Sequence, residues 1–233
     1  MHIPDGIVPA SVAIAGFATT GAMAWYSLRK IEQDDDPRAV IPKASMFTAA
    51  FFVASWVNIP VPPVSVHLIL NGLMGVILGW YAFPAILIGL FFQAVMFGHG
   101  GLTTLGVNAT MMGVPAILAY YVFRLRGAPG LRAMGERGSR ALTGVFAFLG
   151  GALGLGLAAL ILFVLLIGTV PSSLDGATER AAITGLVIAH IPLAVVEGAF
   201  TALVVLYLLR VKPALLEAPL KKRPGEAKLA GGR

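Results

Sequence analysis

Residues 141–169 read ALTGVFAFLGGALGLGLAALILFVLLIGT, 29 consecutive positions without a charge or a proline. A helix needs roughly 20 apolar residues to cross the hydrocarbon of a bilayer, so this stretch is long enough to span one. The rest of the chain is of the same kind. Hydrophobic residues make up 58% of its 233 positions and charged residues 12%, with a mean hydropathy of +0.86, far above that of a soluble domain. At about 25 to 30 residues for a span and its connection, the chain predicts six to eight spans in a single helical bundle.

Outward from 141–169, apolar runs separated by charged or Gly/Pro punctuation predict helices near 7–28, 44–59, 66–80, 83–97, 103–124, 141–169 and 181–210. The fold expected is an all-α membrane protein of about seven transmembrane helices. Residues 1–210 form one transmembrane domain and 211–233 a basic tail. Charged segments at 29–43, 124–140 and 210–233 hold sixteen of the seventeen Lys and Arg residues. Seven spans put all three segments on one side, and retention of Lys and Arg makes that side the cytoplasm. The C-terminus is then cytoplasmic and the N-terminus outside. The net charge of +6 and pI near 9.9 are a topology signal and do not call for a nucleic-acid partner.

This orientation gathers three of the four histidines on the outer face: His2 at the N-terminus, His67 after the Pro-rich segment 60–66, and His99 in the turn Gly98–Gly101. Asp5, Asp175 and Glu179 lie there against Arg180 alone, a weak attraction for a cation. Cysteine is absent, so a metal site would be built from nitrogen and oxygen. The start, MHIPDG, lacks a basic n-region and a cleavable signal pattern, and is expected to be retained with its initiator Met. Met1-His2 then offers three nitrogens: the α-amine, the deprotonated amide of His2 and its ring Nδ1. These close fused five- and six-membered chelate rings around one ion. A fourth imidazole would complete a square plane, which favours Ni(II) or Cu(II) over Zn(II).

His67 is the natural fourth donor, held beside a segment stiffened by Pro60, Pro62 and Pro63. Alone it would read as a helix-end histidine at the membrane interface; with His2 on the same face, metal ligation becomes the stronger reading. His99 reads equally well as a polar turn residue or as a group shaping the entrance, its neighbouring glycines allowing a tight turn. His190 and Glu197 lie seven apart in the last span, hence on one face, and an intramembrane carboxylate is rare. A buried network fixing helix packing is the expected role of that pair, ahead of direct ligation. Ser65, Asn71, Gln93 and Asn108 are polar groups suited to hydrogen-bond networks around the site or its gate. Gly150-xxx-Gly154 and Ala18-xxx-Ala22 are spacings that suit close helix contact. The sequence holds no phosphate loop of the GxxxxGK[ST] type, no HExxH and no GxSxG, so nothing in it points to catalysis or to a catalytic cofactor.

Taken in order, Met1-His2-Ile3-Pro4-Asp5-Gly6, Val66-His67 running into Asn71-Gly72-Leu73-Met74-Gly75, Gln93 through Phe97-Gly98-His99-Gly100-Gly101-Leu102-Thr103-Thr104-Leu105-Gly106, and His190-Ile191-Pro192 leading to Glu197-Gly198 resemble the CbiM/NikM family. These are the substrate-binding subunits of energy-coupling-factor cobalt and nickel transporters, and the resemblance runs from residue 1 to about 210. It implies a seven-helix fold whose N-terminal residues insert into the bundle. The donors it implies are the Met1 amine, the His2 amide nitrogen and ring, and His67, with Ni²⁺ or Co²⁺ as the transported substrate. It also implies a prokaryotic cell (inner) membrane and a set of partners: a transmembrane coupling protein, cytoplasmic ATPase subunits and, in many systems, a small two-span N subunit. No N subunit is recognisable after residue 210, where the chain is polar and basic. The residues do not distinguish nickel from cobalt. A self-contained channel or secondary carrier would require paired intramembrane charges along a path, whereas Glu197 is the one charged residue clearly inside a span. A purely structural membrane subunit would make His2 and His67 incidental.

Overall fold

The computed structural model describes residues 2–61, 64–128, 136–169 and 176–216. Its helices are α1 (Ala10–Ile31), α2 (Ile41–Ala54), α3 (Asn71–Leu78), α4 (Ala82–Phe97), α5 (Leu105–Arg124), α6 (Glu136–Thr169) and α7 (Gly176–Val211). Among the described residues, four stretches are long and apolar enough to cross a membrane: Asn71–Phe97, Leu105–Gly127, Gly138–Thr169 and Arg180–Val211. The first of these doubles back. A straight helix over its 27 residues would measure about 40 Å, yet His67 before it and His99 after it have ring centroids 5.3 Å apart. The reversal falls at the 3-10 turn Gly79–Tyr81, where Gly79 adopts φ 58°. Tyr81 then donates from its hydroxyl to Asp34 Oδ2 at 3.1 Å and to Pro37 O at 3.2 Å, in the charged connection between α1 and α2.

Helices meet where side chains are small. The α1–α5 crossing uses Gly16, where an added Cβ would come within 2.5 Å of Val107, and Thr20, whose hydroxyl donates to Gly106 O at 2.7 Å. Gly72 of α3 sits against Gly150 and Gly151 of α6, and a Cβ on Gly72 would lie 2.6 Å from Gly150 O. Asn71 fastens that crossing by donating to Met112 O of α5 at 3.1 Å and to Gly154 O of α6 at 2.9 Å. In lipid, apolar burial drives helix association weakly, so close backbone approach and interhelical hydrogen bonds carry it. The Gly150/Gly154 spacing is thus used in packing. Ala18 and Ala22 are exposed, and the packed face of α1 is instead the one carrying Gly16 and Thr20.

One feature departs from the expected pattern. The 58–67 region forms an antiparallel hairpin, β1 (Asn58–Val61) with β2 (Val64–His67), pairing Asn58 with His67. Helix α3 therefore begins at Asn71 rather than near residue 66. The β-branched Val and Ile residues of 57–66 favour strand, and Pro60 and Pro63 disfavour helix. At the opposite end of the bundle, Lys43 Nζ donates to Ile77 O at 3.3 Å near the end of α3 and to Leu215 O at 3.1 Å. Residues 217–233, most of the expected basic tail, lie outside the described residues, as do Pro62, Pro63 and Asp175.

Candidate metal centre

The N-terminal arm is threaded into the end of the bundle where β2, the C-terminus of α4 and the N-terminus of α5 converge. Ile3, 1% exposed, is held as a strand residue would be: its N–H donates to Asn108 Oδ1 at 2.9 Å, and its carbonyl accepts from Asn108 Nδ2 at 3.0 Å and from Thr104 Oγ1 at 2.6 Å. Two residues on, the Asp5 carboxylate accepts from Thr103 N at 2.9 Å, Thr103 Oγ1 at 2.5 Å and Leu102 N at 3.3 Å. The Thr103 hydroxyl in particular, with these backbone N–H groups, holds the Asp5 carboxyl below its ordinary range. Gly101 is required here, because a Cβ on it would fall on the Asp5 carboxylate.

With Ile3 and Asp5 pinned, His2 enters the cavity beside His67 and His99. One donor atom from each of these imidazoles lies within 4.8 Å of the others. Metal–nitrogen bonds of about 2.0–2.1 Å place opposite ligands about 4 Å apart, so small side-chain shifts would bring all three onto one ion. Ring centroids are 5.2 Å apart for His2 and His67, with planes only 23° from parallel, and 4.2 Å apart for His2 and His99, with planes crossed at 60°.

Hydrogen bonds assign the tautomers. Gln93 Nε2 donates to Ser55 Oγ at 2.8 Å and approaches Phe52 O at 3.5 Å, so its Oε1 faces the site. That oxygen lies 2.9 Å from His2 Nε2, which must therefore carry the ring proton, leaving the lone pair on Nδ1. Among the described residues, His2 Nδ1 is buried without a hydrogen-bond partner. On His67, Nδ1 lies 3.1 Å from Leu68 O, which only accepts, so the lone pair is on Nε2. His99 Nε2 is likewise buried without a hydrogen-bond partner. Burial disfavours the imidazolium of all three residues, pushing His67 down to about 3 and lowering His2 and His99. The centre is a neutral nest of nitrogen lone pairs, suited to a borderline divalent cation.

His67 is held from the other side of the bundle. The Glu197 carboxyl group of α7, 1% exposed, accepts from the backbone N–H of Ile69, and from that of Leu70 at 3.1 Å. Leu70 is the one non-glycine residue with positive φ among those described, at 59°. The expected pairing of His190 with Glu197 takes another form: His190 Nδ1 lies 2.8 Å from Leu186 O, and Glu197 serves the 69–70 backbone. Each fixes local geometry behind the site. Asn71 is likewise a packing residue, while Gln93 and Asn108 touch the arm directly. His99, read from sequence as a turn or entrance residue, stands against His2 and His67. Ser65 pairs its backbone with Pro60, and Met1 lies outside the described residues. Sequence reading missed Ser55, Thr104 and the latch from Asp5 to Thr103. Only the polar run Thr103-Thr104 beside glycines hinted at the last two.

A family model, CbiM, described as a cobalt uptake substrate-specific transmembrane region, matches residues 2–215. A Haemophilus influenzae protein whose name assigns it provisionally to metal transport is 35% identical over 218 residues, 93% of this chain and 97% of that one. The fused nickel transport protein NikMN of Rhodobacter capsulatus is 34% identical over 155 residues, 64% of this chain and 43% of the relative. The cobalt transport protein CbiM of Geobacter sulfurreducens is 30% identical over 226 residues, 93% of this chain and 61% of the relative. Among solved structures, a transition metal transporter superposes with a TM-score of 0.75 at 27% identity, covering 91% of this chain and 93% of the other. A truncated transition metal transporter gives 0.74 at 26% identity, covering 91% and 99%.

Proposed function

Since the chain belongs to the CbiM family and is a multi-pass membrane component of cobalt or nickel uptake, we propose that it captures Ni²⁺ or Co²⁺ at the His2–His67 centre for an ATP-driven energy-coupling-factor importer. The donors in this reading are the Met1 α-amine, the deprotonated amide nitrogen and Nδ1 of His2, and Nε2 of His67. Met1 must then carry the chain's free amine. The observation that carries the reading is the unpartnered Nδ1 of His2, fixed as a lone pair by the bond from Nε2 to Gln93. Nδ1 is the ring nitrogen that can close a six-membered chelate with its own backbone amide. Leaving it buried and unsatisfied would cost about 1–3 kcal/mol without a ligand.

The importer reading includes seven passes with the centre facing outside a prokaryotic cell membrane, and partners that hydrolyse ATP on the cytoplasmic side. Those partners are a transmembrane coupling protein and ATPase subunits, with a small N-type membrane subunit in some assemblies. This chain performs no catalysis and supplies the selective site. A channel or secondary carrier is the weaker alternative: Glu197, the carboxylate it would need along a path, is occupied by the backbone of Ile69 and Leu70. The deciding experiment compares Ni²⁺ and Co²⁺ binding by purified protein starting at Met1 with a version carrying one additional N-terminal residue. Loss of binding on extension is expected, and equal binding would sink the chelate. Uptake that continues without an ATPase partner would sink the importer.

A further inference from the structure

We propose that His99 is the arrival ligand of this centre: its Nε2 takes the incoming divalent ion first, together with the His2 and His67 imidazoles, and lets go when the N-terminal chelate closes. The proposal rests on the reading above, in which four nitrogens from Met1, His2 and His67 hold the bound ion.

His99 is positioned as a ligand would be. Its donor atom lies within 4.8 Å of those of His2 and His67, and its Nε2 is buried with no hydrogen-bond partner among the described residues, as the Nδ1 of His2 is. The backbone is fixed: α4 ends in Gly98 at φ 61°, with Gly98 N donating to Ala94 O at 3.0 Å and His99 N to Gln93 O at 3.1 Å. Gly100 adopts φ 85°, which favours glycine, and a Cβ there would lie 3.3 Å from Asn108 Nδ2, a tight contact. His99 is only half-buried, sits in the turn between α4 and α5, and has half-exposed Trp56 near its ring at 6.1 Å. Of the three imidazoles it is the one mounted outside the arm and the hairpin.

Chemistry separates arrival from final binding. An aqueous Ni²⁺ or Co²⁺ ion is six-coordinate and replaces its waters one at a time, so a cluster of neutral imidazoles can hold it before any backbone nitrogen is involved. The amide nitrogen of His2 binds only once its proton has left to solvent, which requires an ion already anchored beside it. After that step the amine, amide, His2 Nδ1 and His67 Nε2 fill a square plane, and the deprotonated amide weakens bonding along the perpendicular axis. His99 crosses His2 at 60° and His67 at 67°, while those two lie 23° apart. Its ring plane is thus crossed against both members of the pair that stays. A ligand used only on the way in lowers the barrier in both directions and leaves the equilibrium almost unchanged.

Stopped-flow absorbance with Ni²⁺, on full-length protein starting at Met1, separates the outcomes. In His99→Ala and in His99→Gln, which keeps bulk and polarity, association and dissociation are expected to slow together by about tenfold or more, with the final spectrum and Kd little changed. The retained final spectrum also reports that each variant is folded. Wild-type rates in both variants would overturn the proposal. So would a shifted spectrum with a weakened Kd, which would make His99 a permanent ligand. The one-residue N-terminal extension is run beside them: if it leaves the wild-type spectrum intact, the chelate reading itself has failed, whatever the His99 rates show.

Discussion

At Gln93 a single amide decides which nitrogen of His2 keeps its lone pair. Its Nε2 is committed to Ser55 and the Phe52 carbonyl, so its oxygen can only accept, and His2 is forced into the tautomer with a bare Nδ1. Gln93→Leu removes that constraint at similar volume, and Ni²⁺ affinity measured by competition with a chelator should fall by about 10–100-fold. Wild-type affinity in this variant would show that Gln93 does not orient His2. Protonation gives a second test at this scale. Burial holds His67 at about 3 in the folded protein, against 6.5 for a free imidazole, and lowers His2 and His99 as well. Between those values the unfolded chain binds more protons, so this contribution is fully present above 6.5 and is lost as pH falls toward 3. Thermal unfolding of metal-free protein in detergent should give a falling midpoint between about pH 7.5 and about pH 5. His67→Phe should make that fall shallower. His2, His67 and their shared face were legible in the sequence because charge bias alone sorts them. Ser55, Thr104 and the Asp5 latch were not, since each acts through a contact between segments distant in sequence, Ser55 with Gln93 and the other two across the inserted arm.

The elements around the site form two groups that meet at the three imidazoles. The α4 turn and α5 hold the arm through Gln93, Thr104 and Asn108, while β2 and the start of α3 carry His67 and are pinned by Glu197 of α7. Left-handed φ at Leu70 costs about 1–2 kcal/mol, and the Glu197 carboxyl group, by accepting two consecutive N–H groups, holds the chain in it. Glu197→Ala should cost about 1–3 kcal/mol for each buried N–H it strands, read as a lower unfolding midpoint, with weaker Ni²⁺ binding because His67 lies two residues before Ile69. Stability unchanged from wild type would contradict this role. Gly75 tests the α3–α5 crossing. Alanine normally gains about 1 kcal/mol over glycine inside a helix, but here its methyl would collide with the Ala116 carbonyl. Gly75→Ala should therefore destabilise, by about 1–3 kcal/mol. Hydrophobic runs made most helices readable from sequence. The 58–67 hairpin was hidden because its prolines read as a connection at 60–66 between two spans until strand pairing is seen.

For the whole molecule, the separation of its two ends governs function. The histidines occupy one end, while the Tyr81–Asp34 bond and the Lys43 bonds to Ile77 and Leu215 occupy the other. By sequence, sixteen of seventeen basic residues fall in 29–43, 124–140 and 210–233, and at that second end Lys43 of the first of these segments bonds to Leu215 of the third. If those charges hold it in the cytoplasm, the centre opens outward, and an imported ion must pass from the first end to the second through a bundle closed by Asn71 and the Gly72–Gly150 crossing. Energy from partners on the charged side would then be needed to open it. The chain contains no cysteine, so single cysteines report orientation without background. Ile7→Cys, at a position 53% exposed beside the arm, should react with a membrane-impermeant maleimide applied to intact cells. Gln33→Cys, exposed in the α1–α2 connection, should react only after the membrane is opened. The reverse pattern would turn the site toward the cytoplasm and make uptake from outside untenable. Protection of both positions until lysis would mean that the N-terminal arm never faces the medium.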